Sequence, residues 1–373
     1  MSKSELFIYR DKPYHLARYP RTTNKSLRVW NAGEAYLLQY LEGLNLANKQ
    51  MALYHDRFGF LNTVLHQYHP IGVLQYSSQR QAWQMNFKKN GIEIDESKII
   101  SPLDTFPGQI DIACMKIPKS IDLFELFLRQ LHPSLKEDGT VICSFMTRHF
   151  NKKILSVAAL YFEEIEQSKA WKKSRLLILK KKKKRIPEKD LLKTITLDKN
   201  QELKQYPGVF SGEKIDIATR FLLEDLALLP SDEKALDLAA GNGVIAHHLY
   251  QQNSKCELHL LDDDRLAIES AKLNLPQSNT HYHWADTTDA LPDSYFDLIV
   301  CNPPFHFEYE NTIEIALQLF RGAHRCLKKG GRFLIVANLH LNYKTHLERL
   351  FPRVVVLREN QRFIVYECGL NRN

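Results

Sequence analysis

The chain has 373 residues, enough for two or three domains with cores of their own. Hydrophobic residues make up 44% and charged residues 25%, and no uninterrupted apolar run is long enough to span a bilayer, so no membrane segment is expected. The formal net charge of +8 favours a polyanionic partner. Cys114, Cys143, Cys256, Cys301, Cys326 and Cys368 form no Cys-x-x-Cys pair, so neither a disulfide framework nor a metal site is expected. The opening Met1-Ser2-Lys3-Ser4-Glu5-Leu6-Phe7 lacks the apolar core of a secretory signal, and a reducing cytoplasm is the expected home.

In chain order, residues 50–54 read as a first strand, 80–90 as a helix and 110–115 as a buried strand. A Leu-Lys-Glu-Asp-Gly-Thr-Val-Ile stretch follows at 135–142. Lys169, Lys172, Lys173 and Arg175 then lead into Lys180-Lys181-Lys182-Lys183-Lys184-Arg185, readable either as a solvated face or as phosphate contacts. After a polar stretch the plan repeats more clearly. Residues 215–229 read as a helix, 235–239 as a strand, 244–250 as a helix and 256–261 as a strand. Further on come a helix at 265–273, strands at 281–285 and 296–301, a helix at 313–327 and a strand at 332–337. Residues 354–357 and 362–366 read as a closing hairpin. This alternation argues for a parallel, doubly wound sheet in each half. The expected domains are residues 1–185 and 206–373, with a basic, polar linker at 186–205.

The two halves differ in the loops that carry chemistry. In the second, Asp237-Leu238-Ala239-Ala240-Gly241-Asn242-Gly243 joins a strand to a helix, and Gly241 and Gly243 let the backbone turn tightly against a ligand. Asp262 ends the next strand, where a carboxylate can accept both hydroxyls of a ribose. Gly241-Asn242-Gly243-Val244-Ile245-Ala246 also satisfies the dinucleotide pattern G-x-G-x-x-A. A dinucleotide has no use for the strand acid Asp237, whereas a cationic methyl donor, S-adenosylmethionine (AdoMet), does. Asp286, after the third strand, is placed either to bind the adenine amine or simply to face solvent. Phe210-Ser211 either closes over the methionine end or only caps the next helix.

The fourth strand runs into Asn302-Pro303-Pro304-Phe305. Two prolines end a strand and hold Asn302 extended. The Asn302 side-chain oxygen and the Pro303 carbonyl can each accept one hydrogen of an –NH2 group while Phe305 stacks on its ring. An ordinary turn is the plainer alternative. The first half has His55-Asp56-Arg57-Phe58-Gly59 and Lys116-Ile117-Pro118-Lys119 at the matching places, so it is expected to keep the fold without the cofactor.

With the acid–glycine loop, Asp262 and the Asn-Pro-Pro-Phe turn in order, the chain resembles class I AdoMet-dependent methyltransferases that act on an exocyclic nitrogen. More narrowly it resembles the bacterial ribosomal RNA guanine-N2 methyltransferases, which pair a degenerate and an active copy of one fold. Gly208-Val209-Phe210-Ser211, residues 237–243, 301–306 and Val336-Ala337-Asn338 carry the likeness in the active half. Residues 30–38, 116–119 and 170–173 are similar to the member that modifies large-subunit rRNA. Ala239-Ala240 departs from the usual Gly-Cys, which is expected to tighten the pocket. The resemblance implies two tandem Rossmann-like α/β domains, the first degenerate. It also implies AdoMet held by Asp237, Ala239, Gly241, Gly243, Asp262, Asp286 and Asn302, and catalysis by Asn302, Pro303 and Phe305 on the N2 amine of a 23S rRNA guanine. A monomer without metal is expected.

The turn alone would equally suit adenine-N6 or protein glutamine. Basic charge speaks against a protein substrate, and the lack of a separate DNA-recognition domain speaks, less strongly, against DNA. A non-catalytic ribosome-assembly factor and a nicotinamide-dependent dehydrogenase are the rivals of other classes.

Overall fold

The structure is a computed structural model. It describes residues 5–371 apart from 23, 25, 199, 200, 211–213, 305, 308, 309 and 312; for 198, 306, 307, 310 and 311 it describes the backbone alone. The chain divides into two compact units, Met1–Leu191 and Leu192–Asn373.

The first unit opens with hairpin β1 (Glu5–Tyr9) and β2 (Lys12–Leu16), then α1 (Ala32–Glu42). Next come β3 (Met51–Tyr54), α2 (Phe60–Val64), β4 (Ile71–Val73), α3 (Ser77–Lys89), β5 (Ile99–Ile100) and β6 (Ile110–Lys116). It closes with α4 (Ile121–Leu131), β7 (Leu135–Met146), α5 (Lys153–Tyr161), β8 (Phe162–Gln167) and β9 (Ser174–Lys182). The second unit opens with hairpin β10 (Lys193–Asp198) and β11 (Gln201–Gln205), then α6 (Ile217–Leu223), β12 (Lys234–Leu238) and α7 (Val244–Gln252). There follow β13 (Glu257–Asp262), α8 (Arg265–Asn274), β14 (Thr280–Trp284) and β15 (Phe296–Cys301). After a short pair, β16 (His306–Phe307) and β17 (Glu310–Asn311), come α9 (Glu314–Cys326), β18 (Leu327–Asn338), α10 (Lys344–Leu347), β19 (Arg353–Glu359) and β20 (Phe363–Gly369).

Each unit carries a seven-stranded sheet, ordered β5-β4-β3-β6-β7-β9-β8 in the first and β14-β13-β12-β15-β18-β20-β19 in the second. The orders correspond strand for strand: five parallel strands and an antiparallel closing pair. The duplication extends to the leading hairpins. His15 N donates to Asn90 Oδ1 at 2.8 Å and Asn90 Nδ2 returns a bond to His15 O. In the second unit Lys204 N donates to Asn274 Oδ1 at 2.7 Å and Asn274 Nδ2 donates to Lys204 O. So Lys193–Asp198 and Gln201–Gln205, expected to be linker, pair as two strands of the second unit.

Strands buried on both faces need apolar runs, and β6 and β15 have them beyond Asp111 and Asp297 at their amino ends. In the second unit Leu236, Leu238, Ile299 and Phe333 face a layer that includes α9. Helix α9 buries Ala316, Leu319, Phe320, Ala323 and Cys326, a single face at helical spacing. Ala235, Leu298, Val300 and Leu334 face the layer of α6 and α7. By strand alternation Asp237 belongs to that second, apolar layer.

One further expectation changes in the structure. The helix expected over 215–229 is α6, which ends at Leu223. Side chains capture the chain beyond it: Gln252 Oε1 accepts from Leu228 N, Asp232 Oδ2 accepts from Leu229 N, and Gln252 Nε2 donates to Leu226 O. These bonds replace the helical ones. The first half of the lysine run lies within β9, where Lys180 pairs with Glu166 at 3.6 Å, Lys181 with Glu164 and Lys182 with Glu137 at 3.5 Å. Lys180 to Lys182 therefore have carboxylate partners within their own unit, which favours the solvated-face reading.

Candidate active site at the carboxyl end of the second sheet

The strand order reverses between β12 and β15, and a doubly wound sheet opens a crevice at the carboxyl ends of such strands. A cleft lies there. Its wall includes Ala239, Ala240, Gly241 and Asn242 from the loop after β12, Asn302 from the end of β15, and Phe210, Asp216 and Thr219 around α6. Ile195, Leu197 and Leu203 of the hairpin complete it.

The loop is ordered from beneath. Gly243 is the N-cap of α7 and has no side chain with which to cap it. Asp237 Oδ2 supplies the missing acceptor, taking the Ala246 N–H at 3.0 Å. Asp237 is 1% exposed, and burial, reinforced by the nearby Asp262 charge, pushes its carboxyl well above the usual range. Its Oδ1 is buried without a hydrogen-bond partner among the described residues. Asn242 ties the loop to the hairpin, donating from Nδ2 to Gln205 Oε1 at 2.9 Å.

Asp262 closes the other side of the loop. Its Oδ2 accepts from Gly241 N and its Oδ1 from Asp264 N, each at 2.8 Å. Burial pushes its pKa up to about 6 despite these bonds. Each oxygen still has a lone pair for a hydroxyl donor.

The two glycines divide their work. Gly241 has φ +55, and a Cβ built on it meets nothing within 4 Å among the described residues, so it borders open space there. Gly243 has φ +80, and a Cβ there would meet Ala271 Cβ at 3.0 Å and Leu260 Cδ2 at 3.2 Å. Gly243 therefore allows close packing of the helix that follows β13. Ala239, where glycine is usual in the family it resembles, has φ +65, left-handed backbone that disfavours a side chain.

Asn302 is fixed on two sides. Its Nδ2 donates to Thr219 Oγ1 at 2.8 Å and to Asp216 Oδ2 at 3.1 Å. Asp216 also caps α6 by accepting from Thr219 N at 3.0 Å. Neither Asp216 nor Thr219 was singled out from sequence; the only signal was an Asp-x-x-Thr at a helix start. Pro303 is buried beside Asn302, while Phe305 lies outside the described residues, as does Ser211. Asp286 stands two residues beyond β14, at the carboxyl edge of the sheet but outside the cleft wall. Cys301 is buried and its thiol is pushed well up, so it offers no thiolate.

The first unit shows what the same loop becomes with other residues. Tyr54 pairs with Val73 and Met115 as Leu238 pairs with Leu261 and Cys301. By that register Leu53 stands for Asp237, His55 for Ala239, Arg57 for Gly241, Leu74 for Asp262 and Lys116 for Asn302. Arg57 is 4% exposed, donates to Ser78 Oγ at 2.6 Å and stacks on the Tyr76 ring.

Away from the cleft, at the amino end of the second sheet, Glu257, His259 and His281 each bring a ligating atom within 4.8 Å of the others. Glu257 Oε1 is already shared by Tyr295 OH at 2.7 Å and His259 Nε2 at 2.8 Å, and His259 Nδ1 meets His283 Nε2 at 2.9 Å. Protons alone satisfy this network. Among the described residues no helix is long and apolar enough to cross a membrane.

Residues 4–184 match the family described as RLMG N-terminal domain, and residues 200–367 the family described as methyltransferase small domain. Over 376 residues the chain is 30% identical to ribosomal RNA large subunit methyltransferase G of Vibrio vulnificus (strain YJ016), covering 98% of this chain and 99% of that one. The protein of the same name in Shewanella sp. (strain MR-4) is 32% identical over 369 residues, 95% of this chain and 96% of its own. Among solved structures, the T. Thermophilus 16S rRNA N2 methyltransferase (RsmC), in complex with AdoMet and guanosine, has a TM-score of 0.77. That alignment covers 99% of this chain and 98% of the other at 19% identity, a likeness of fold.

Proposed function

We propose that this chain, which belongs to the ribosomal RNA large subunit methyltransferase G family, transfers a methyl group from AdoMet to the N2 amine of a guanine in large-subunit rRNA. One observation carries the reading: the acid-braced glycine loop and Asn302 line one cleft. The cleft's own features fit the cofactor. A buried Asp237 oxygen lacks a partner, Gly241 borders open space, and Asp262 keeps lone pairs for ribose hydroxyls. When bound, AdoMet supplies an electrophilic methyl on a sulfonium.

The protein's part is orientation and electrostatics. A guanine amine is conjugated with its ring and is a poor nucleophile. Asn302 Oδ1 and the Pro303 carbonyl each accept one of its N–H groups, and Phe305 stacks on the base. The nitrogen lone pair is thereby aimed at the methyl, and in-line displacement needs no covalent enzyme intermediate. The base must be unpaired or turned out of its stack. Asp262 orients the ribose, and Asp286 approaches the adenine amine.

The first unit, in which Leu53, Arg57, Leu74 and Lys116 stand in place of Asp237, Gly241, Asp262 and Asn302, binds RNA. At the carboxyl end of its sheet, burial and the charges of Arg148, Lys116 and Lys119 hold His149 below its ordinary pKa. Nearby, Lys172 lies 4.5 Å from the Trp171 ring, and Trp171 packs on Tyr36. Cations beside aromatic faces suit a single-stranded polyanion. A cytoplasmic monomer without metal completes the reading.

The test is to incubate the protein with labelled AdoMet and protein-free rRNA from a strain lacking it, then map the labelled nucleoside. N2-methylguanosine in large-subunit rRNA is expected. Label in adenosine, or only in protein, overturns the proposal.

A further inference from the structure

Asn302 is useful to an amine only in one of its two amide orientations. With its oxygen toward the cleft it accepts a hydrogen; with its nitrogen there it presents two donors to a group that is itself a donor. The two orientations have nearly the same shape, so packing alone discriminates weakly between them. Something must choose.

We propose that Asp216 and Thr219 make that choice: they are positioning residues that lock the Asn302 amide with its oxygen free to accept the target amine. This deepens the function proposed above and rests on it. A carboxylate oxygen can only accept, so the atom facing Asp216 Oδ2 at 3.1 Å must be the nitrogen. Thr219 Oγ1 takes the second amide hydrogen at 2.8 Å. Both donors of Asn302 are then engaged on the α6 side, and only Oδ1 remains for the cleft. Rotating the amide by half a turn would set its oxygen against the Asp216 carboxylate, two acceptors with no hydrogen between them. The same Asp216 oxygen is tied to the Thr219 backbone N–H at 3.0 Å, so the clamp is anchored to the first turn of a helix. Thr219 is 4% exposed, so its hydroxyl is shielded from competing water.

Two substitutions separate this role from helix capping. Asp216→Ser restores a good N-cap, but its shorter side chain does not reach Asn302. Thr219→Val keeps the side-chain shape and removes the acceptor. Asp216→Asn keeps an oxygen that serves both Thr219 N and Asn302. The expected result is a loss in kcat of about tenfold for each of the first two and about 10²-fold for the pair. RNA KM should stay within about threefold, and Asp216→Asn should recover most of the rate. The pair Asp216→Ser and Thr219→Val turning over at wild-type kcat on rRNA, while the wild type forms N2-methylguanosine, overturns the positioning role alone. So does Asp216→Asn failing as badly as Asp216→Ser. A wild-type chain that methylates no guanine overturns the function and this inference with it.

Discussion

Asp56 and Asp237 cap equivalent helices from different places in the chain. Asp237 lies within β12 and accepts from Ala246 N at 3.0 Å; Asp56 lies beyond β3 and accepts from Asn62 N at 2.8 Å. Both are buried, and burial raises the pKa of both carboxyls. The difference in origin decides what the loop can hold. An acid in the strand leaves the loop small and open above it. An acid in the loop, followed by Arg57, fills the space itself.

From this exchange a titration of the full chain with AdoMet should saturate at one molecule per chain. The first unit lacks an equivalent of Asp237, Gly241 and Asp262 by register. Calorimetry checks the stoichiometry, and a value of two would show that Arg57 leaves room.

Asp237→Asn and Asp237→Ala should part company. The asparagine keeps an oxygen for Ala246 N and replaces a carboxyl that burial already disfavours as an ion, so its thermal midpoint should stay close to wild type. The alanine leaves a buried N–H without an acceptor and should cost about 1–2 kcal/mol. AdoMet affinity should fall in Asp237→Ala, whose glycine loop loses its brace, and stay near wild type in Asp237→Asn. Denaturant unfolding and calorimetry on the two variants read these effects separately.

Asn302→Ala should bind AdoMet nearly as well as wild type and lose at least 10²-fold in kcat, since it removes an orienting acceptor and leaves the loop untouched. Methyl transfer near the wild-type rate would remove Asn302 from the mechanism.

The strands of the second sheet were legible because they are short apolar runs bounded by turn residues, and β15 was expected at its observed bounds. The duplication was legible too, through Leu135 and Leu327 opening matching strands. The end of α6 was not, because Gln252 and Asp232 capture the following chain from distant positions. Asp216 was missed for the same reason: its contact with Asn302 spans 86 residues, and no local pattern encodes it. The packing at Gly243 was not legible either, because a glycine's neighbours are invisible in sequence; Ala271 and Leu260 are what it accommodates.

Ala239→Gly should stabilise the chain. Ala239 is held at φ +65, where a side chain costs about 1–2 kcal/mol and glycine almost nothing. Greater freedom of the unfolded chain returns about 0.4–1 kcal/mol of that, so a net gain of about 0.5–1 kcal/mol is expected. The denaturant midpoint should rise with an unchanged slope. The substitution also removes a methyl from the cleft wall, so AdoMet affinity should not fall.

Asp262 should make AdoMet binding depend on pH in a window set by its own titration. Burial raises its pKa in the free protein from 3.8 to about 6. Its contribution to the stability of the free protein is therefore full below the unfolded value and is lost as pH rises through about 6. Binding has the opposite sense. Ribose hydroxyls bond more strongly to the ionised carboxylate, so below about pH 6 binding must first remove a proton. The dissociation constant should be flat from pH 7 to 8 and about tenfold weaker at pH 5. Asp262→Asn should bind weakly at every pH and lose this dependence. Calorimetric titrations at pH 5, 6, 7 and 8 in wild type and variant check the prediction, and an equal slope in both would assign the pH effect to another group.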